Sequence, residues 1–159
     1  MSAAFVGLGA NLGEPERQLQ QAFFELDAMP HTRVVKASSL YRSDPVGYPG
    51  QPRFVNAVAQ IETGLAAGRL LGELQAIEAR HGRTRSFPNA PRTLDLDLLL
   101  YADAVLDLPG LKVPHPRMHE RVFVLVPLLE IAPQAAVPGR GPARALLEQC
   151  PAQGVERLE

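Results

Sequence analysis

The chain has 159 residues, 46% hydrophobic and 21% charged, a composition that excludes wholesale disorder and fits one domain spanning 1–159. Its 16 basic and 17 acidic side chains leave a formal charge of -1, so no bulk field draws it to nucleic acid or anionic lipid. A lone cysteine, Cys150, excludes an internal disulfide and points to a reducing compartment, and apolar runs such as residues 98–101 fall far short of the ~20 residues of a membrane helix. Met1 leads straight into Phe5-Val6-Gly7-Leu8-Gly9 without a basic leader, so no signal peptide is expected and the protein is read as cytoplasmic.

Residues 3–8 read as a buried strand that breaks at the turn-rich stretch 9–13. Leu19, Ala22, Phe23 and Leu26 then follow helical spacing, with Glu14 and Glu16 near the positive N-terminal end. Residues 34–41 are rich in β-formers and predict a second strand. Five breakers, Pro45, Gly47, Pro49, Gly50 and Pro52, predict a loop over 42–53. Residues 54–63 alternate, with Val55, Ala57, Ala59 and Ile61 on one face and Phe54, Asn56, Val58 and Gln60 on the other. A helix is predicted over 67–81, striped by Leu70, Leu74 and Ile77 and stopped by Gly82. After a loop over 82–92, residues 94–101 alternate again. Leu94, Leu96, Leu98 and Leu100 take one side, and Asp95, Asp97, Leu99 and Tyr101 the other. A helix over 122–131 requires Pro127 to lie in its first turn or kink it, and a short helix near 143–149 closes the chain. The order βαββαβ, then helices, predicts a ferredoxin-like α+β fold: a mainly antiparallel sheet in α-β-α layers. That fold hosts many functions and decides no chemistry.

The chemistry concentrates at Asp95 and Asp97. On a strand their carboxylates leave the same face with Cα atoms roughly 6.5–7 Å apart. Such a pair repels unless a cation lies between, and hard oxygen ligands on a rigid strand suit Mg²⁺. The pattern alone equally fits two acids on a solvated edge strand. Residues 79–94 add Arg80, Arg83, Arg85 and Arg92, one histidine and no acid. Arginine forks grip phosphate oxygens, although a solvated helix end would account for Arg80. Gly82, Pro88 and Pro91 suit a lid that excludes water. A second basic cluster holds His115, Arg117, His119 and Arg121, with Pro114 and Pro116 flanking His115. One distant Cys and no paired helical His argue against zinc, and no Walker A motif is present. Phe54 and Asn56 share a strand face, which suits stacking on and reading a heterocycle, or equally one more core aromatic beside an exposed amide. Glu78 reads either as a surface acid or as a group orienting the nearby arginines.

Pro91-Arg92-Thr93-Leu94-Asp95-Leu96-Asp97-Leu98-Leu99-Leu100-Tyr101 resembles the signature of the 6-hydroxymethyl-7,8-dihydropterin pyrophosphokinase family of folate biosynthesis. The segments at 7–13, 38–43, 54–57 and 113–117 are similar to family segments in the same order. The resemblance implies transfer of pyrophosphate from ATP to the hydroxymethyl group of 6-hydroxymethyl-7,8-dihydropterin, giving AMP and the pterin diphosphate. It implies that Asp95 and Asp97 hold two Mg²⁺ ions and that Arg83 and Arg92 neutralise phosphate charge. Gln75, Glu78, Arg85, Leu98, Lys112, His115 and Arg121 fall where the family contacts ATP. Phe54 and Phe123 would sandwich the pterin and Asn56 would bond its edge, joined by backbone groups around Ser43 and Val46.

The chain departs from the family pattern in places. Pro88-Asn89-Ala90 stand where a basic residue, Trp and Gly are frequent, and the loop is one residue shorter. Lys112 replaces a hydroxyl residue and Pro116 an aromatic, from which altered ATP affinity or lid motion is expected, not a different reaction. A metal-dependent glycosyltransferase also uses Asp-x-Asp, but the length and the absence of a nucleotide-binding α/β half argue against it. An RNA-reading ferredoxin-like domain needs a basic sheet face, and Asp95 and Asp97 would repel phosphate there. A monomer, with no nucleic-acid or membrane partner, is expected.

Overall fold

The computed structural model describes residues 1–44, 50, 52–82 and 93–158. In chain order the elements are β1 (Ser2–Ala10), α1 (Pro15–Asp27), β2 (Thr32–Ala37), β3 (Tyr41–Ser43), β4 (Phe54–Thr63), α2 (Ala67–Arg80) and β5 (Asp95–Tyr101). A hairpin of β6 (Leu106–Leu108) and β7 (Leu111–Val113) follows. Then come a 3-10 turn (Met118–Glu120), α3 (Val122–Ile131), β8 (Ala136–Val137), β9 (Gly141–Pro142), α4 (Ala143–Gln149) and β10 (Val155–Arg157).

The main sheet runs β10-β3-β4-β1-β5, with β2 also on β4, and every pairing is antiparallel. β4 and β1 in the interior of the sheet and the helices crossing between strands give the ferredoxin-like α+β fold. The expected helical stripes are the buried ones: Leu19, Ala22 and Leu26 of α1 and Leu70, Leu74 and Ile77 of α2 pack on one sheet face. On the opposite face Leu125, Leu128 and Ile131 of α3 and Leu146 of α4 pack against Val58, Leu99 and Leu100. Both faces are therefore covered, and each fully buried leucine contributes roughly 1.5–3 kcal/mol through surface removed from water.

Two expectations need correction. The single strand over 34–41 is two, β2 and β3, which share β4: Ala37 lies opposite Ala59 and Tyr41 opposite Asn56, one residue out of register. Hydroxyl side chains cause the break. Ser38 Oγ accepts the Val58 N–H at 2.9 Å, and Ser39 turns its own N–H and Oγ to Glu130 of α3. Side-chain bonds thus compete with the ladder.

Next, the alternation along β5 fails at Leu99. Phe5 faces Leu100 while Val6 faces Leu98, so Leu99 is the extra residue of a bulge. Beyond it the faces exchange: Leu100 joins Leu99 on the α3 side, and Tyr101 turns to the α1–α2 side, where its hydroxyl donates to the Leu65 carbonyl at 2.5 Å. Of the two readings for Pro127, the first-turn placement is not met: the residue lies inside α3. Its missing N–H leaves the Phe123 carbonyl without the usual intrahelical donor.

Candidate active site

Gly7 and Gly9 leave a stretch of β1 without side chains on one face. Gly9 lies opposite Asn56 on one neighbour strand and opposite Asp95 on the other; Gly7 likewise lies between Val58 and Asp97. At the usual strand spacing Asn56 and Asp95 are thus about 10 Å apart across bare backbone. A Cβ at Gly9 would come 3.1 Å from Asn56 Nδ2, so glycine there makes room for the amide. Over this floor is a cavity of about 160 Å³ lined by Gly7, Gly9, Ser43, Asp44, Phe54, Asn56, Asp95, Asp97, Arg117, Glu120, Arg121, Phe123 and Gln153, among others.

One end of the cavity suits a flat heterocycle. Phe54, at the start of β4, and Phe123, at the start of α3, both line it. Arg121 carries its guanidinium 5.6 Å from the Phe123 ring centroid, a cation–π distance. Asn56 is 5% exposed and Ser43 1%. Ser43 Oγ donates to Asn56 Oδ1 at 2.5 Å, which turns the amide's Nδ2 away from Ser43.

The other end is acidic. Asp95 and Asp97 are half-buried on β5, as the period of two requires. Arg121 Nη1 is 3.9 Å from Asp97 Oδ2, and His115 Nε2 is 3.9 Å from Asp97 Oδ1. His115 Nδ1 accepts the Arg117 N–H at 3.1 Å, so a neutral ring carries its hydrogen on Nε2, toward Asp97. Burial, helped by the Arg121 guanidinium and opposed by Asp95, pushes the imidazole pKa down to about 4. The ring is therefore a neutral donor at pH 7.

β5 ends the main sheet, so its outer edge needs other partners. Glu78, 3% exposed on α2, accepts the Leu96 N–H at 2.8 Å, between the two aspartates. The His115 N–H donates to the Leu99 carbonyl at 2.9 Å on the same strand. Glu78 is thus neither a surface acid nor a cavity wall.

The fold brings Ser43, Phe54, Asn56, Asp95, Asp97, Arg121 and Phe123 to one cavity, with His115 against Asp97. Gln75 is exposed on α2, Leu98 is buried in the core, and Lys112 is exposed with Asp107 at 4.0 Å; none of the three lines that cavity. Val46, Arg83, Arg85 and Arg92, and the proposed lid, lie outside the described residues. Sequence reasoning missed Asp44, Glu120 and Gln153, which carry no motif and reach the cavity through tertiary packing. Gly7 and Gly9 had a signal, since two glycines on one face of a strand mark a close approach.

The fit to a divalent cation can be judged from the donors. Among the described residues no group of three or more His, Cys, Asp or Glu side chains could hold a metal ion. Two carboxylates facing a cavity match Mg²⁺, which takes one or two carboxylates and completes its octahedron with water and phosphate oxygens. Also among the described residues, no helix is long and apolar enough to cross a membrane.

Comparison with known proteins supplies the family. Residues 5–133 match the family described as 7,8-dihydro-6-hydroxymethylpterin-pyrophosphokinase (HPPK). A 2-amino-4-hydroxy-6-hydroxymethyldihydropteridine pyrophosphokinase from Pseudomonas aeruginosa is 51% identical over 154 residues, 97% of this chain and 95% of its own length. One from Haemophilus influenzae is 44% identical over 149 residues, 94% of this chain and 93% of its own. The crystal structure of wild-type Plasmodium falciparum HPPK-DHPS has a TM-score of 0.70 at 13% identity over 94% of this chain. The present chain spans 43% of that longer one, and the likeness bears on the fold alone. On the family match and the identity with full-length relatives, the chain belongs to the HPPK family, the ATP-dependent pyrophosphokinases of folate biosynthesis.

Proposed function

We propose that this cavity is where the chain transfers pyrophosphate from ATP to 6-hydroxymethyl-7,8-dihydropterin, and that residues 1–159 form a single pyrophosphokinase domain. The hydroxymethyl oxygen attacks the β-phosphorus, the bond from that phosphorus to the oxygen it shares with the α-phosphate breaks, and AMP departs with that oxygen. The observation that carries the reading is the row Asn56–Gly9–Asp95, which sets a heterocycle-reading amide and a cation-binding carboxylate about 10 Å apart over one cavity floor.

Phe54 and Phe123 bind the faces of the pterin ring, and Asn56, held by Ser43, bonds its polar edge. Asp95 and Asp97 would hold Mg²⁺, two ions with ATP bound, which would supply neutralising charge to the phosphates. Arg121 and the neutral Nε2–H of His115 converge on Asp97 and so fix its carboxylate. The reaction needs alignment and charge neutralisation more than covalent help, and this donor set supplies both. Arg83, Arg92 and Arg85 belong to the phosphate side, and Gln75, Glu78, Leu98 and Lys112 to the ATP side, by family position. A cytoplasmic monomer that binds neither nucleic acid nor membrane completes the reading, supported by the single cysteine and the near-zero net charge.

Incubation with ATP, Mg²⁺ and the hydroxymethyl pterin should yield AMP and the pterin diphosphate, resolved by chromatography. Release of ADP in place of AMP would overturn pyrophosphoryl transfer.

A further inference from the structure

The family match ends at residue 133, yet the cavity wall continues beyond it. Gln153 lines the cavity together with Ser43, Asp44 and Asn56. Its segment is held on β3: β10 pairs antiparallel with that strand, Val155 opposite Ser43. The Asp44 N–H donates to the Gly154 carbonyl at 3.1 Å, and Gln153 Nε2 donates to the Asp44 carbonyl at 3.4 Å. Gly154 approaches so closely that a Cβ there would overlap the Asp44 carboxylate. That carboxylate pairs with Arg53 Nε at 3.3 Å, and Arg53 Nη1 in turn reaches Glu156 at 3.6 Å. The tail therefore touches both Asp44, where the chain leaves β3, and Arg53, immediately before Phe54.

We propose that the C-terminal segment 153–156 positions the heterocycle end of the site, with Gln153 and Gly154 setting Asp44, and Glu156 setting Arg53 and through it Phe54. The inference rests on the pterin reading above. Ion pairs this exposed contribute little to stability, so their effect is on geometry. The tail's effect is also one-sided. β10 and β3 lie at one end of the sheet order and β5, with Asp95 and Asp97, at the other. A disturbance of the tail reaches the pterin before it reaches the phosphates.

The test uses the full chain with Gln153→Leu, which keeps bulk but removes the donor, and Gly154→Ala, whose methyl displaces the Asp44 carboxylate. KM is measured separately for pterin and ATP, and pterin binding by calorimetry with Mg²⁺ and a nonhydrolysable ATP analogue. Each variant should weaken pterin binding and raise its KM about fivefold, the equivalent of one neutral hydrogen bond, while kcat and the KM for ATP stay within about twofold. An unchanged pterin KM in both variants, or a parallel rise in both KM values, overturns the tail's role. A wild-type protein that makes no pterin diphosphate overturns the functional reading itself, and the inference with it.

Discussion

Replacing Glu78 with alanine deletes the carboxylate that accepts the Leu96 N–H at 2.8 Å. The side chain is 3% exposed, and the amide it serves points off the open edge of β5, so the variant strands a donor where water is scarce. A stranded buried N–H costs about 1–3 kcal/mol, and bonds to charged acceptors lie at the upper end of hydrogen-bond strengths. With the small void left behind, Glu78→Ala should lose about 2–3 kcal/mol. For a chain of this size that is a fall in Tm of roughly 5–10 °C, or a lower urea midpoint at unchanged slope. Glu78→Gln keeps an acceptor oxygen and gives up only the charge, so it should lose about 1 kcal/mol.

The same pair of variants separates a structural role from direct contact with ATP. Leu96 lies between Asp95 and Asp97, so a loosened amide displaces both carboxylates. A displacement of a few tenths of an ångström should lower kcat about tenfold in Glu78→Ala and far less in Glu78→Gln. An alanine variant within about 0.5 kcal/mol of wild type would refute the bond's importance. Equal losses of kcat in the two variants would refute the positioning argument and return Glu78 to substrate contact through its charge.

The remaining predictions bear on the two ends of the cavity and on the seam beneath α3. Asp95→Ala and Asp97→Ala should each cut AMP production by at least about 10²-fold while far-ultraviolet circular dichroism stays native; a fully active variant of either would remove it from cation binding. Phe123→Ala should weaken pterin binding about tenfold by titration calorimetry, since one stacking face is lost, and an unchanged affinity would place the ring elsewhere. At the seam, the Tyr41 hydroxyl donates to Glu130 Oε1 at 2.5 Å, and the Ser39 N–H and hydroxyl donate to the same carboxylate. Burial raises the Glu130 pKa, but these bonds outweigh it and hold the group below its ordinary 4.5. Burial and the Glu130 bond push the Tyr41 phenol up to about 12. A depressed carboxyl stabilises above its unfolded value and a raised phenol below its own. Tyr41→Phe should therefore cost about 1–2 kcal/mol between pH 6 and 9. That difference should shrink as the pH falls through the lowered Glu130 value, and again as it rises toward 12. A pH-independent difference in urea unfolding would refute the pairing.

The local features of the sequence carried most of this. Period-two alternation located β4 to the residue and put Asp95 and Asp97 on one face, because one side of each strand had to meet a helix. Helical spacing found the buried stripes of α1 and α2 for the same reason. What failed depends on partners distant in sequence. The bulge at Leu99 arises from its register against Phe5 and Val6, and nothing in 94–101 taken alone marks it. The break at 38–40 needs Glu130 of α3 to accept from Ser39. Glu78 reads as any acid on a helix until Leu96 is seen to need an acceptor. Gln153 entered the site only because β10 pairs with β3.

In the proposed site, bare backbone on the interior strand β1 is the arrangement that would let two chemistries share one cavity. Any larger residue at position 9 would meet Asn56 Nδ2 and fill the space between the amide and Asp95. At position 7 a Cβ would stand in van der Waals contact with the Leu99 side chain, at 3.4 Å. Leu99 closes the apolar floor on the α3 side, and the strand stays in register below it, so that Asp95 and Asp97 still face Gly9 and Gly7. In the proposed site, sheet geometry would set the separation between heterocycle and phosphate chemistry at two strand spacings. There the strands determine where the two reacting groups would meet.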